Sequence, residues 1–349
     1  MHPKTPPIRL KAFRPVLLFS LLLVLLLGGY AEPLDTLAAE NYTQQLVSSQ
    51  RYPGSTWQTR LCDSSDFTMV VIPDPQYYAS AYPFIYNAQM QWVAENKIKQ
   101  NIVYVASLGD NVDNAGDLNQ WRRADAAFDI LDQAGVPYGL EAGNHDGAPY
   151  ETGNFNAFFG EARFAGRPTY GGHFGSDQDN HYARFEVNGL KFILIFIEFD
   201  AGMTSPSHPV LAWVDGLLRA NLDYRGIVIS HNMLQGGASN DFSPQGLAIY
   251  KALRGNANLF LMMGGHLDVA ARRMDTYRGH RVYTLRSDYQ FVDDLQTGYL
   301  RILRFSPAGN AIFVSTYSPT QDKYYPDLTD NNFSLPYDMG GSPSKAISC

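Results

Sequence analysis

Five apolar segments of this chain each lead into aspartate, asparagine or histidine, and this pattern restricts the folds available to it. The segments are short and rich in branched apolar residues, as buried strands are. In chain order they are FTMVVIP before Asp74, IVYVASL before Gly109-Asp110, the segment ending at Ala142 before Gly143-Asn144-His145, GIVIS before His231, and LFLMM before Gly264-Gly265-His266. Because ligands collect at the carboxyl ends of strands in α/β sheets, we expect these polar residues to meet at one site.

Helical segments separate most of these strands, which favours βαβ units and parallel pairing. The predicted helices are 85–100, 121–133, 208–222 and 245–253. Residues 149–179 show no clear period and are predicted to form a long irregular insertion. Asn188-Gly189 indicates a hairpin, and we expect the last third of the chain to be antiparallel. The predicted fold class is α/β, with two packed mixed sheets flanked by helices in a single domain over 66–349.

The first 31 residues differ from the rest of the chain. Basic residues precede a largely apolar run from Val16 to Leu27, and small residues follow it. This order is typical of a secretory signal peptide, and an uncleaved N-terminal anchor is the alternative. We predict an exported protein that is extracellular, periplasmic or tethered to a membrane through this segment alone. Residues 32–65 are predicted to be a leader or linker.

The charge balance excludes one class of partner. Removing residues 1–31 would take away four basic residues and no acidic ones, which changes the formal net charge from −7 to −11. So acidic a chain lacks the lysine and arginine excess that neutralises phosphates, and we expect no nucleic-acid-binding surface. Cys62 and Cys349 are the two cysteines of the sequence, and either a disulfide or two free thiols is compatible with export.

The polar strand ends are chemically a set of metal ligands. Carboxylates, amide oxygens and imidazoles are the groups that divalent ions bind in proteins. Two such ions a few ångströms apart suit phosphoryl transfer, because they activate water and neutralise the phosphate oxygens.

The motifs GDNVD, GNHD, SHN and GGHLD, in this order after DPQ, resemble the calcineurin-like metallophosphoesterase superfamily. The resemblance spans about residues 67–268, and the opening IPDPQYY is similar to that of a bacterial subgroup with glutamine where many relatives have histidine. It implies a four-layer αββα sandwich that binds two divalent metal ions. It also implies hydrolysis of a small phosphorylated substrate, either a phosphomonoester or a phosphodiester.

The same resemblance implies a role for each matching residue. Asp110 would bridge both ions, and a hydroxide held between the ions would be the nucleophile. The other implied ligands are Asn144, His231 and His266 for one ion, and Asp74, Gln76 and Asp268 for the other. His145 would be the catalytic residue that donates a proton to the leaving oxygen or stabilises the transferring phosphoryl group. Asp113 and Asp146 are interpreted as residues that hold the loops.

Two of these positions depart from the commonest family pattern, since Gln76 and Asp268 each stand where a histidine is usual. The ion bound by Asp74, Gln76, Asp110 and Asp268 would then have an all-oxygen shell, which favours Mn²⁺, Mg²⁺ or Ca²⁺ over zinc. The imidazole-bearing site suits Mn, Fe or Zn, so manganese is the metal we favour. An extra carboxylate would make bound water less acidic, which predicts a higher pH optimum or a weaker enzyme.

Candidate substrate contacts are less specific. Tyr77 is either part of an aromatic wall for the substrate or an ordinary packing residue. His173, in the predicted insertion, is a further candidate, and Arg273 could bind a phosphate or simply lie on an exposed strand. The segment 288–290 is another candidate for approach to the metals.

These observations predict an exported, metal-dependent phosphoric ester hydrolase. The first alternative is a catalytically weak or inactive binding protein of the same fold at the cell surface, which the departures at Gln76 and Asp268 suggest. The second is an adhesion or glycan-binding module in which the acidic residues hold only Ca²⁺.

Overall fold

The computed structural model describes residues 65–237, 239–292, 295–327 and 329–340. The predicted export segment, nearly all of the predicted leader and both cysteines lie outside these ranges. In the part of the chain that is described, none of the helices combines the length and apolar character needed to cross a membrane.

The described residues form fourteen strands and seven helices. The strands are β1 (Phe67–Ile72), β2 (Ile102–Ser107), β3 (Tyr138–Leu140), β4 (Tyr170–His173), β5 (His181–Val187), β6 (Leu190–Ile197), β7 (Arg225–Ser230), β8 (Leu259–Gly264), β9 (Ala271–Tyr277), β10 (His280–Arg286), β11 (Leu300–Ser306), β12 (Ala311–Ser318), β13 (Lys323–Tyr324) and β14 (Phe333–Pro336). The helices are α1 (Gln76–Ser80), α2 (Pro83–Asn96), α3 (Leu118–Ala134), α4 (Gly153–Phe159), α5 (Glu161–Phe164), α6 (Pro209–Ala220) and α7 (Pro244–Leu253).

The strands form two mixed sheets. The first has the order β13-β12-β11-β1-β2-β3, with β14 paired to β12, and its β1, β2 and β3 are parallel. The second has the order β4-β5-β6-β7-β8-β10-β9, and its β6, β7, β8 and β10 are parallel. Each sheet therefore presents a set of carboxyl strand ends at one edge.

Alternation of side chains along each central strand separates the layers. In β1, Phe67, Met69 and Val71 enter the core between the two sheets, whereas Val70 and Ile72 pack with α2 and α3. The residues of β6 alternate in the same way between the inter-sheet core and a third core under α6 and α7. Because side chains of a strand point to opposite faces in turn, each central strand contributes to two cores. The predicted sandwich of two mixed sheets with outer helices is confirmed.

The predicted irregular insertion at 149–179 is wrong. This stretch contains α4, α5 and β4. Phe155 and Phe159 of α4 are buried against Trp121 of α3, with ring centroids 6.3 Å apart in both pairs. The two phenylalanines are four residues apart and so share one helix face, but the helix is too short for a period to stand out among the surrounding glycines.

The antiparallel prediction for the last third holds for β11 to β14 and only in part for β10. β10 pairs antiparallel with β9 and parallel with β8. β9 lies at the sheet edge and contains Arg273, for which a strand was one of the two alternatives. Its charged residues Arg272, Arg273 and Asp275 are half-buried, and they form ion pairs between Arg272 and Asp330 and between Arg273 and Asp275. The chain runs back along β9 before it enters β10, which gives β10 the same direction as β8.

Candidate metal centre

Strand ends from both sheets meet at one place. Asp110 follows β2, His231 follows β7 and His266 follows β8, and one potential ligand atom from each lies within 4.8 Å of the other two. Asp74, which follows β1, joins them, because the backbone NH of His266 donates to Asp74 Oδ1 at 2.8 Å. The predicted convergence of these four side chains is therefore present in the structure.

His231 is oriented by the backbone. Its Nδ1 donates to the carbonyl oxygen of Leu108 at 2.7 Å, which directs Nε2 towards Asp110 Oδ2 at 3.0 Å. Burial lowers the pKa of His231, but the Asp110 carboxylate outweighs burial, and the pKa lies above its ordinary value. Burial likewise raises the pKa of Asp110, and the His231 imidazole reverses the sign and leaves it lowered. Each of these two groups therefore shifts the pKa of the other in the direction that favours the charged form.

The pKa of His266 is shifted in the direction opposite to that of His231. Burial and the neighbouring His231 lower the pKa of His266 to about 4. Its imidazole is therefore neutral at pH 7, which is the form that binds metals.

The backbone at the cluster is held in a conformation that side chains rarely adopt. Asp74, Asp110 and His266 have φ values of 39°, 49° and 72°. Positive φ is uncommon for residues other than glycine and costs free energy, so it persists where the surrounding structure imposes it. Its occurrence at three of the converging residues indicates a preorganised site.

Glycines in the motifs leave room for the carboxylates. A Cβ at Gly143 would lie 2.2 Å from Asp110 Oδ1, and a Cβ at Gly265 would lie 2.0 Å from Asp74 Oδ2. Both distances are far below van der Waals contact. Gly143 of GNHD and Gly265 of GGHLD are therefore required by the packing of the acidic side chains.

The GNHD loop lies beside Asp110. The backbone NH of His145 donates to Asp110 Oδ1 at 2.9 Å, and Asn144 precedes it in the same turn. The His145 ring places Nδ1 2.7 Å from the carbonyl oxygen of Asp113, and its side chain is 38% exposed. Asp113 thus orients His145, so that Nδ1 donates and Nε2 remains available.

Asp146 ties this loop to the loop after β2. Its Oδ2 accepts hydrogen bonds from the backbone NH groups of Asn111 and Gly143 and from the Asn111 amide, at 3.0, 2.9 and 2.9 Å. Its Oδ1 accepts from the backbone NH of Val112 at 3.0 Å. The fully buried carboxyl therefore fixes one motif against the other, in keeping with the loop-holding role expected for it.

Three buried oxygens of the predicted ligands accept no hydrogen bond from the described residues. They are Asp74 Oδ2, Gln76 Oε1 and Asn144 Oδ1, and both carboxylate oxygens of the buried Glu141 likewise have no donor there. A buried acceptor without a partner costs free energy, so such groups are rare unless a ligand or ion satisfies them. Burial also raises the pKa of Asp74 well above its ordinary value, and the carboxylates of Asp288 and Asp110 raise it further.

Three side chains near the centre carried little or no sequence signal. Gln290 accepts a hydrogen bond from Gln76 Nε2 and donates through its own Nε2 to Asp288 Oδ2 at 2.9 Å. Glu141 is fully buried directly after β3, and burial raises its pKa well above the ordinary value. Asp288 and Gln290 follow β10, which is parallel to β8, and Glu141 follows β3, which is parallel to β2. Asp288 and Gln290 fall within the segment singled out above, whereas Glu141 was assigned to the strand itself.

The remaining predicted residues are placed as follows. Asp268 is exposed in the loop after β8. Tyr77 packs edge-on against Phe291, with ring centroids 5.7 Å apart. Partial burial raises the pKa of Tyr77, and the carboxylates of Asp113 and Asp288 raise it further.

His173 and Arg273 already have partners within the protein. His173 Nδ1 lies 2.7 Å from the hydroxyl of Tyr170. The Arg273 guanidinium donates to both carboxylate oxygens of Asp275 at 2.7 Å and lies over the ring of Phe242, 4.0 Å from its centroid. These contacts account for both side chains without a substrate.

Comparison with known proteins places the fold. No protein-family model matches the chain. It is 35% identical over 289 residues to the uncharacterized protein YvnB of Bacillus subtilis (strain 168), an alignment that covers 78% of this chain and 22% of YvnB. The chain thus spans about a fifth of the length of that relative.

Two solved structures have a similar fold. A dimetal phosphatase from Danio rerio superposes with a TM-score of 0.52 at 14% identity, covering 78% of this chain and 99% of that one. A purple acid phosphatase from yellow lupin (Lupinus luteus) seeds superposes with a TM-score of 0.55 at 12% identity, covering 82% of this chain and 58% of that one. At these identities the likeness shows the fold, which is the two-sheet sandwich of these phosphatases.

Proposed function

We propose that this chain is a metal-dependent phosphoric ester hydrolase with a dinuclear metal centre. One observation carries the proposal: side chains from the ends of strands in both sheets converge and leave buried oxygens of Asp74, Gln76 and Asn144 without hydrogen-bond donors. A cation is the partner that carboxylate, amide and imidazole groups can share.

The residues present fit two divalent ions. Asn144, His231 and His266 would hold one ion and Asp74 and Gln76 the other, with Asp110 between them. The chemistry of the donors agrees with this assignment, because His231 directs Nε2 inwards and His266 is neutral at pH 7. When bound, the ions would lower the pKa of the attacking water and neutralise the phosphate oxygens.

His145 would supply the proton for the leaving group. Its Nδ1 is engaged by the carbonyl oxygen of Asp113, and its ring is partly exposed beside Asp110. A protonated Nε2 could therefore donate to the oxygen that departs from phosphorus, in the way of a general acid. Tyr77, which follows Gln76 in α1, is the proposed wall for the substrate.

The proposed substrate is a small phosphorylated molecule rather than a nucleic acid, since the sequence carries 34 acidic against 27 basic residues. We also propose that the protein acts outside the cytoplasm, on the composition of residues 1–31. Detection of the tagged protein in the medium or an outer fraction, with a mature N-terminus near residue 32, would support this. Retention in the cytosol would contradict it.

The test combines metal content with turnover. Protein purified without added metal is analysed by inductively coupled plasma mass spectrometry, and then assayed with p-nitrophenyl phosphate and bis(p-nitrophenyl) phosphate before chelation, after chelation and after Mn²⁺ is restored. We expect two ions per chain, loss of turnover on chelation and recovery with Mn²⁺. Asp223→Asn, on the exposed surface, is the control and should behave as the unmodified protein.

The opposite result would identify the alternative function. Two bound ions with no turnover of either ester under Mn, Fe, Zn, Mg or Ca would indicate an inactive binding protein of this fold. Absence of bound ions from the purified protein would contradict the proposed metal centre itself.

A further inference from the structure

β10 delivers a buried carboxyl to the same edge as the metal centre. β10 pairs in parallel with β8, with Arg286 opposite Gly264, and the backbone NH of Ser287 donates to the carbonyl oxygen of Gly264 at 2.9 Å. Parallel neighbours end at the same edge of a sheet, so the residue after Ser287 lies beside the loop that carries His266. That residue is Asp288, whose relative exposure is 0%.

Gln290 fixes Asp288 and Gln76 together. The backbone NH of Gln290 donates to Asp288 Oδ1 and its Nε2 donates to Asp288 Oδ2, both at 2.9 Å. The Oε1 of the same amide accepts from Gln76 Nε2. This chain of donors leaves Gln76 Oε1 as a buried acceptor without a partner, next to a carboxylate of fixed orientation.

The Gln290 amide connects Asp288 to the segment that carries Asp74. It bonds both Asp288 and Gln76, and Gln76 is two positions after Asp74. The adjacent cation Arg286 donates to the carbonyl oxygens of Val269 and Gly237, at 3.2 and 3.3 Å. Two buried carboxylates, with an oxygen of Asp74 that has no partner among the described residues, form a place that a divalent cation would stabilise.

Asp268 differs from Asp288 in its exposure to solvent. It is exposed, in a loop after β8, whereas Asp74, Gln76 and Asp288 have relative exposures of 1%, 2% and 0%. A ligand that stays in water gains less from the ion and holds it less rigidly.

We propose that Asp288, and not Asp268, completes the oxygen-rich metal site with Asp74, Gln76 and Asp110. In this site Gln290 is the positioning residue, because its amide bonds both Asp288 and Gln76. The inference rests on the proposed dinuclear centre. It replaces the assignment that the sequence motif alone implied for Asp268.

Metal stoichiometry separates the two assignments. Asp288→Asn and Asp268→Asn are isosteric changes, made in the full chain, stripped with chelator, reloaded with Mn²⁺ and desalted before elemental analysis. We expect about two ions in the unmodified protein and in Asp268→Asn, and about one in Asp288→Asn. Mn²⁺ electron paramagnetic resonance should show the spin-coupled signal of a paired site in the first two proteins and an isolated ion in the third. Circular dichroism melting curves check that each variant is folded.

A second pair of variants gives a positive readout. Asp288→Cys loaded with Cd²⁺ should show the ultraviolet charge-transfer absorption of a cadmium thiolate, above that of the unmodified protein, and Asp268→Cys should not. Loss of one ion or thiolate absorption at position 268 instead of 288, or two ions retained in Asp288→Asn, would overturn the inference and leave the proposed function standing. Absence of metal from the unmodified protein would overturn both.

Discussion

The two halves of the proposed centre are built in different ways. The imidazole half consists of Asp110, Asn144, His231 and His266. The oxygen half consists of Asp74, Gln76, Asp288 and Gln290, and it shares Asp110 with the imidazole half. In the imidazole half the side chains are oriented by backbone groups close to the strand ends, as when Leu108 fixes His231. In the oxygen half side chains fix one another, and Gln76 and Gln290 are 214 positions apart in the sequence.

This difference shows which half a motif can describe. Backbone-held ligands recur at short fixed spacings after each strand, so they leave a pattern in the sequence. In the oxygen half, Asp74 and Gln76 belong to such a motif, whereas Asp288 and Gln290 reach them through strand order and stand at no fixed spacing from that motif. We expect changes at the junction of the halves to have the largest effects.

Asp110 belongs to both halves in the proposed assignment, so its replacement should have the largest effect on turnover and metal content. Asp110→Asn removes the charge between the two ions, and we expect turnover to fall by about 10³-fold, corresponding to several kcal/mol of lost charge stabilisation. Metal content should fall below one ion per chain. Kinetics with p-nitrophenyl phosphate and elemental analysis measure both quantities. Full activity in Asp110→Asn would show that Asp110 does not belong to the catalytic centre.

Gly143→Ala is expected to disturb the centre by displacing Asp110, the residue shared by both halves. The new Cβ would lie 2.2 Å from Asp110 Oδ1 and push that carboxylate off its position, so we expect a loss of about 10²-fold in turnover. Gly216→Ala is the matched control, because a Cβ there meets nothing within 4 Å. Equal activities of the two variants would show that Asp110 need not stay in place.

His145→Asn should lower turnover without removing either ion. Loss of a general acid costs about 10²-fold, and the loss should be greater for phenyl phosphate, whose leaving group needs the proton, than for p-nitrophenyl phosphate. Elemental analysis should show an unchanged metal content. An equal loss with both esters would assign His145 to binding of the phosphoryl group rather than proton donation.

Gln76→His makes the oxygen half resemble the imidazole half. An added imidazole should raise the affinity for Zn²⁺ relative to Mn²⁺ by about tenfold, because nitrogen ligands suit zinc better than amide oxygens do. Competition between the two ions, followed by elemental analysis, measures the ratio. Gln91→His, exposed on α2, controls for a new surface histidine.

Glu198→Gln tests a carboxyl at the same edge that belongs to neither half. Burial raises the pKa of Glu198 from 4.5 to about 8, against the hydrogen bond from Asn180. The folded protein therefore binds the Glu198 proton more tightly than the unfolded chain does. The stability that this bound proton contributes is lost as the pH rises from about 4.5 to 8. The melting temperature of Glu198→Gln minus that of the unmodified protein should therefore increase as the pH is raised from 5 to 9.

The exposed Glu186→Gln is the control for that series and should show no such trend. A constant difference between Glu198→Gln and the unmodified protein across this range would mean that Glu198 titrates at its ordinary pH.

Much of the fold and half of the centre followed from local patterns. The sandwich, the strands that lead to Asp74, Asp110, His231 and His266, and the loop-holding role of Asp146 were all predicted from residue type and position. The two short helices at 149–179 were not, because α4 gains its stability from packing on Trp121 and not from its own period.

The sequence by itself determined which strands are buried and which polar residues follow them, since side-chain alternation and the turn after a strand are local properties. Only the tertiary structure decided which of those strand ends meet. The parallel pairing of β10 with β8 brings Asp288 and Gln290 to Asp74 and Gln76, while Asp268, nearer in the motif, stays in solvent. Strand order is set by packing across the whole sheet, and no spacing between neighbouring residues encodes it.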